Sequence, residues 1–210
     1  MLGGLERFQN DPLVAPPGTK FSYSSYGYNL LSAAIESAAG ENFLDYEREH
    51  VFAPLGLHST VADQPADIVE QRARFYSPAR EKQVRNAEFV DNSYKWAGGG
   101  FLSTSEDLVH FGSALLQPGF LKVESLALLF TPQKTRDGTE TKYGMGWFVT
   151  KSKSGQRIYE HSGGSVGGSS ELILYPDAHL VVAFVCNFSG GEDGWKGEEV
   201  QSLGESFENK

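Results

Sequence analysis

The chain has one cysteine, Cys186, so no disulfide closes within it and cysteine usage leaves its redox compartment open. It has no long apolar run. The longest, Leu180 to Cys186, is far too short to span a bilayer. It has no basic block and a formal charge of −9, which argues against nucleic acid and against an anionic membrane surface as partner. The opening Met1-Leu2-Gly3-Gly4 lacks the basic and apolar regions of a secretion signal. Internal repeats, low-complexity tracts and long linkers are also missing. The histidines show no metal-ligand spacing such as His-Glu-x-x-His, so neither a catalytic metal nor a cofactor is expected. What remains is ample for a core: 210 residues, 40% hydrophobic and 12% aromatic.

Turn chemistry organises the first two thirds. Asp11-Pro12 and Pro16-Pro17-Gly18 mark a loop. Tyr26 to Ala39 reads as a helix with Tyr28, Leu31, Ile35 and Ala38 on one face and Gly40 at the C′ position. A second helix is expected over about Asn42 to Val51, stopping before Pro54. Asp63 to Lys95 is polar with scattered aromatics and reads as irregular. Ser103-Thr104-Ser105-Glu106 has capping-box spacing and opens a helix that aligns Leu108, Phe111, Gly112 and Leu115. A short helix covers about Val123 to Phe130.

The last third changes character. Gly146 to Thr150, Ile158 to His161, Ser170 to Tyr175 and Leu180 to Cys186 read as strands, and the short connections make neighbours antiparallel. Leu180 to Val185 is apolar on both faces and should be covered on both sides. An acidic stretch, about Gly197 to Glu208, is expected to close the fold as a helix. Helices first and strands later is an α+β signature.

Three strings stand out chemically. Tyr23 lies in Pro17-Gly18-Thr19-Lys20-Phe21-Ser22-Tyr23-Ser24-Ser25-Tyr26-Gly27-Tyr28, at a turn before a helix. There a side chain faces either a cleft or simply its own packing neighbours. His161-Ser162-Gly163-Gly164 ends a strand in small residues, where a peptide-like ligand can approach the backbone. Read alone, such a string is more often just a hairpin turn. The glycine triplet of Trp96-Ala97-Gly98-Gly99-Gly100-Phe101 lacks the Gly-Lys-Ser/Thr of a phosphate loop and reads as a tight loop rimming a cleft. Two further strings are decoys. Gly163-Gly164-Ser165-Val166-Gly167 matches G-x-S-x-G but has strands on both sides instead of a helix after it. Lys153-Ser154-Gly155 imitates Lys-Thr-Gly inside a polar run better read as an exposed turn.

Taken together and in order, these pieces resemble the serine β-lactamase-like family of class C β-lactamases, DD-peptidases and family VIII esterases. The resemblance runs from about Asp11 to Asn187. It is carried by Pro17-Gly18 to Tyr28, Pro54-Leu55-Gly56-Leu57, Ala97 to Thr104, Tyr143-Gly144-Met145-Gly146-Trp147 and His161-Ser162-Gly163-Gly164. A narrower likeness is to the mitochondrial serine β-lactamase-like proteins and their bacterial relatives. Arg72-Ala73-Arg74-Phe75-Tyr76 and Val90 to Phe101 carry it.

The resemblance implies a partial β-lactamase/transpeptidase-like fold of class α+β, a helical region followed by an antiparallel sheet and a C-terminal helix. It implies one incomplete domain over 1–210, helical and looped to about 140 and sheet with closing helix from about 141. The family pattern Tyr-x-Asn matches Tyr23-Ser24-Ser25, with serine for asparagine. Lys-Thr-Gly matches His161-Ser162-Gly163. No serine in the chain is followed by lysine three residues on, so the Ser-x-x-Lys nucleophile element is expected to lie outside it. By resemblance, Tyr23 and His161 are catalytic, and Ser25, Ser162, Gly163 and Gly164 bind substrate. The serine would form an acyl-enzyme with an ester, peptide or β-lactam. Tyr23 would take its proton, and the Gly164 amide would complete an oxyanion hole.

A phenol titrates near 10, so a phenolate base needs a cation beside it, chiefly the missing lysine. The partner implied is a small acyl or peptide substrate, with self-assembly as homo-oligomer or filament a further expectation. Family locations are the bacterial periplasm, the exterior or the mitochondrion. Two functions follow: part of an acyl-transferring serine hydrolase that is inactive alone, or a catalytically dead peptide-binding or filament-forming scaffold.

Overall fold

The computed structural model describes residues 2–80, 83–189 and 197–208. In chain order, a first turn α1 (Leu2–Leu5) precedes α2 (Ser25–Ala39) and α3 (Phe43–Glu47). A π-helical turn (Arg48–Phe52) leads into α4 (Ala53–Leu55) and strand β1 (Val61–Ala62). A hairpin, β2 (Tyr76–Pro78) and β3 (Val84–Asn86), comes before α5 (Trp96–Gly99), β4 (Phe101–Leu102), α6 (Ser105–Leu115) and α7 (Val123–Leu129). Strands β5 (Phe148–Lys151), β6 (Arg157–Ser165), β7 (Gly168–Tyr175) and β8 (Leu180–Cys186) follow, then α8 (Gly197–Glu208). These elements form two compact units. One comprises Met1–Val69, Val90–Ser103 and Lys134–Thr139, and the other the rest.

In the first unit α2 is capped at both ends. Ser24 accepts from the Gly27 amide, and Gly40, at φ 73°, donates to the Glu36 carbonyl. Its buried face differs from the expected apolar stripe. Asn29, Ser32 and Ala33 are buried, whereas Leu30 and Leu31 are 54% and 57% exposed. The reason is a polar seam against α5. Asn29 Oδ1 accepts from the Gly98 amide at 3.1 Å, its Nδ2 donates to the Tyr94 carbonyl at 3.4 Å, and Ser32 returns a hydroxyl to the Asn29 carbonyl at 2.7 Å.

The second helix also departs from expectation. It relaxes into a π turn, with Leu57 N bonded to Phe52 O, and takes up a last turn containing Pro54. Proline fits there because the first turn of a helix needs no amide donor. Phe101 of β4 packs edge-on against Phe52 and Phe43.

The second unit centres on the antiparallel sheet β5-β6-β7-β8. Strand alternation splits it into two faces. Leu172 and Leu174 of β7 join Tyr159, Trp147 and Leu115 in one core. Ile173 and Tyr175 join Ile158, Val182 and Val200 of α8 in the other. The covering of β8 on both sides follows: α6 packs on one face and α8 on the other. Gly112 of α6 is required there, because a Cβ would lie 2.7 Å from Val181 Cγ1.

Boundaries moved where side chains found better partners. The cap of α6 is Thr104, accepting from the Asp107 amide, because Ser103 instead bonds the Thr60 hydroxyl at 2.8 Å. The stretch expected to be irregular contains the β2–β3 hairpin. It escaped notice because Val84, Arg85 and Asn86 are all exposed and leave no apolar alternation. Strand β6 continues past His161 to Ser165, through glycines that carry no period-two signal.

The α8 face contains two carboxylates. Glu171 is 7% exposed and stands diagonal to Glu160, whose Oε2 accepts from Gln201 Nε2 at 2.9 Å. The start of α8 abuts Glu171: a Cβ on Gly197 would lie 3.1 Å from its Oε2. A helix N-terminus favours a carboxylate, but burial and then the neighbouring Glu160 charge prevail, and the Glu171 carboxyl is raised to about 7.

Between pH 4.5 and 7 the folded chain therefore holds a proton that the unfolded chain has released. This group's contribution to stability is complete below pH 4.5 and is lost as pH rises to about 7. Replacing Glu171 with Gln should raise stability by roughly 2–3 kcal/mol at pH 8 and leave it nearly unchanged at pH 4.5. Urea denaturation of both proteins at the two pH values checks this; equal gains at both would refute it.

Candidate active site

Tyr23 sits in the extended segment just ahead of α2, with its side chain 46% exposed. Its ring lies 5.8 Å from that of Tyr28, one turn into the helix. The approach to it is anchored at Pro17-Gly18. Gly18 has φ 80°, its carbonyl accepts from the Arg136 amide, and the Pro17 carbonyl accepts from the Arg136 guanidinium. The Tyr23-Ser24-Ser25 string now divides by role. Ser24 caps the helix, while Ser25 opens its first turn with an exposed side chain. The glycine triplet is neither a phosphate cradle nor a loop. It forms the helical turn α5, and Gly98 lets it close on α2, since a Cβ there would be 2.8 Å from Asn29 Oδ1 and 2.9 Å from the Ser25 carbonyl. Asn29 is thus the residue that sequence reasoning missed. An asparagine six positions after Tyr23, amid apolar helix residues, was its only signal.

In the other unit His161, Ser162, Gly163 and Gly164 lie consecutively on β6 and pair with Leu172, Glu171, Ser170 and Ser169 of β7. On the opposite side, β5 pairs with β6 only as far as Glu160. Among the described strands none pairs with β6 on that side beyond this point, so Ser162–Ser165 lie past the end of the β5 ladder. A Cβ on Gly163 would meet Ser170 Oγ, so a side chain there would have to turn that hydroxyl aside. A Cβ on Gly164 would meet nothing within 4 Å, so open space lies over that residue.

The His161 ring is half-buried. Its Nδ1 is 2.8 Å from the Ser162 carbonyl and its Nε2 3.0 Å from the hydroxyl of buried Tyr143. Phe148 packs against both rings. Tyr143 is the second residue that the motif reading left without a role.

The decoys resolve. Ser165 ends β6 in a tight turn to β7, strand to strand, which is incompatible with a nucleophile elbow. Lys153 lies on the β5–β6 turn and pairs with Glu198 at 3.1 Å. Among the described residues one group offers three metal-type ligand atoms, Glu41, Glu49 and His50. It is an exposed surface cluster in which His50 already bonds Glu41 at 3.0 Å. Among the described residues no helix is long and apolar enough to cross a membrane.

The fold and these motifs define a class. The chain belongs to the beta-lactamase family, whose model matches residues 4–201. It is 38% identical over 221 aligned residues to the serine beta-lactamase-like protein LACTB, mitochondrial, of Mus musculus, covering 87% of this chain and 40% of that protein. It therefore spans well under half the length of that relative. A penicillin-binding protein from Bacillus halodurans superposes with a TM-score of 0.79 at 24% identity, over 98% of this chain and 62% of that one. The D-amino acid amidase of Ochrobactrum anthropi superposes at 0.74 with 25% identity, over 90% and 58%. The β-lactamase/transpeptidase-like fold and membership among β-lactamase-related serine hydrolases are thereby established.

Replacing Gly98 with Ala should lower stability by about 1–3 kcal/mol, because the methyl has only backbone and a hydrogen-bonded amide to displace. A Gly99→Ala control tests backbone strain alone, since its position is open but has φ 127°. Gly98→Ala with an unchanged denaturation midpoint would refute the close-approach argument.

Proposed function

We propose that this chain contributes the tyrosine and histidine elements of a serine hydrolase that transfers acyl groups from esters, amides or peptides. The observation that carries the reading is the stretch of β6 from Ser162 to Ser165, past the end of the β5 ladder, with its small residues and the open space at Gly164. An extended acyl-peptide or amide pairs naturally with such a stretch. The Gly164 amide then serves the oxyanion. Tyr23 acts as general base toward the nucleophile, and Ser25, Ser162 and Gly163 contact substrate.

The nucleophile is not among these residues, since no Ser-x-x-Lys occurs in them. The acyl-enzyme serine, and the lysine that would favour a phenolate at Tyr23, belong to a segment outside them. An amide substrate is suggested by the name of the O. anthropi relative, and mitochondrial or bacterial settings by those of the relatives generally. The same absence favours a second reading, in which the chain is an inactive scaffold that retains a peptide-binding strand.

The purified chain should hydrolyse nitrocefin and p-nitrophenyl esters only at the buffer rate. A fusion that places a Ser-x-x-Lys segment ahead of it should cleave esters, and Tyr23→Phe in that fusion should cut turnover about 10²–10⁴-fold, the usual contribution of a positioned base. A folded fusion with no acyl adduct would favour the scaffold. Turnover by the chain alone that vanishes in Tyr23→Phe would show a nucleophile within these residues.

A further inference from the structure

The contacts of His161 specify more than its position. A carbonyl oxygen only accepts, so the 2.8 Å contact between Nδ1 and the Ser162 carbonyl puts a proton on Nδ1. In the neutral ring Nε2 is then bare and accepts from the Tyr143 hydroxyl, 3.0 Å away. If the ring takes up a proton, Nε2–H donates instead to the same phenolic oxygen, and the contact survives with its direction reversed. A hydroxyl serves both states; a side chain that only donates or only accepts serves one.

The chain commits considerable local structure to holding that hydroxyl in place. Tyr143 is buried. Its amide donates to Thr141 Oγ1 at 3.2 Å, and its carbonyl accepts from the Gln133 amide at 2.8 Å. The preceding Lys142 adopts φ 57°, a left-handed conformation unfavourable for a residue with a Cβ, and its carbonyl accepts from the Val149 amide at 2.9 Å. Gly144 follows where a Cβ would strike the Leu129 carbonyl, and Gly146 has φ 86°. The Tyr143 ring meets Phe148 edge-on at 4.7 Å, and Phe148 in turn borders the imidazole.

We infer that Tyr143 is a positioning residue for His161: its buried hydroxyl, acting with the Ser162 carbonyl, steadies the imidazole in the Nδ1–H tautomer and remains its partner when the ring is protonated. The inference takes its functional meaning from the proposed acyl-transfer site, but its test does not depend on turnover. With Nδ1–H given to Ser162 and Nε2 to Tyr143, the neutral ring has no N–H left for a ligand. His161 then shapes the site, while the backbone of Ser162 to Gly164 makes the hydrogen bonds to substrate.

The experiment is long-range proton–nitrogen NMR on the 210-residue chain labelled with nitrogen-15 in histidine. The His161 signals are assigned by their loss in His161→Gln, and spectra are taken above the imidazole titration range. The wild-type chain should show the Nδ1–H pattern alone. Tyr143→Phe should lose that single pattern and show a mixture with the Nε2–H form, because the Ser162 carbonyl then holds Nδ1–H with no hydroxyl donating to Nε2. Phe148→Leu, which removes ring packing but no hydroxyl, should keep the wild-type pattern. An Nε2–H tautomer in the wild-type chain overturns the inference by itself, even if the Tyr143 variant fails to fold. A folded Tyr143→Phe with the wild-type pattern also overturns it. Failure of the proposed acyl transfer would leave all these spectra unchanged, so the two outcomes separate.

Discussion

The pairing of β6 with β7 is the interaction on which the second unit depends. Seven residue pairs, from Tyr159 with Leu174 to Ser165 with Gly168, set the register. A slip of one residue would turn Leu172 and Leu174 away from Trp147 and Leu115, and Ile173 and Tyr175 away from Val200. Both cores would be lost together. The same register places Gly163 against Ser170, whose hydroxyl a side chain there would have to displace. The apolar half of the ladder therefore holds the glycine half in position, and the strand that presents His161 is anchored by residues without chemistry of their own.

That anchoring has a cost at its midpoint. Glu171 is the first of five consecutive buried residues of β7, and it faces Ser162 across the ladder. An apolar residue would suit the α8 core better, because burial and Glu160 both oppose its ionisation. The α8 helix is itself acidic, with Glu198 and Glu199 in its first turn. Part of this charge is answered by Lys153 on Glu198 and by the Ser154 amide on Glu205. An exposed pair such as the former contributes little. The docking of α8 therefore rests on Val200 and on the Gln201 bond to Glu160 more than on charge. Groups held against their solution preference concentrate near working sites more often than in ordinary cores.

How much was legible beforehand depended on whether a residue's partner was local. Gly40 closing α2, the apolar β8 and the acidic closing helix are each written in a short window, and each stands where it was expected. The β-lactamase family was legible from ordered motifs, and the family match bears it out. What escaped has partners distant in sequence. Asn29 turns the buried face of α2 polar because Gly98 and Tyr94 lie more than sixty positions away. Ser103 loses the cap to Thr104 because Thr60 claims its hydroxyl. Tyr143 belonged to a recognised string, but its partner His161 is eighteen residues on, across a β turn and a strand. Periodicity detects faces; it does not detect single long-range hydrogen bonds between polar side chains.

The substitutions that separate this chain from the family pattern point in one chemical direction. Serine at position 25 stands where asparagine is usual, and histidine and serine at 161 and 162 stand where lysine and threonine are usual. Each change shortens or weakens a side chain that would otherwise reach a ligand. Ser25 has no amide group to span a gap. His161 gives one nitrogen to its neighbour's carbonyl and the other to Tyr143, so it has less to offer than a lysine with three donors. The backbone of β6 is the feature that none of these changes touches. From Ser162 to Ser165 it is held in register by the ladder to β7, past the end of the ladder to β5. Under the proposed acyl-transfer reading, recognition would fall to the main chain, which reads extended amide geometry, and less to side chains that read charge.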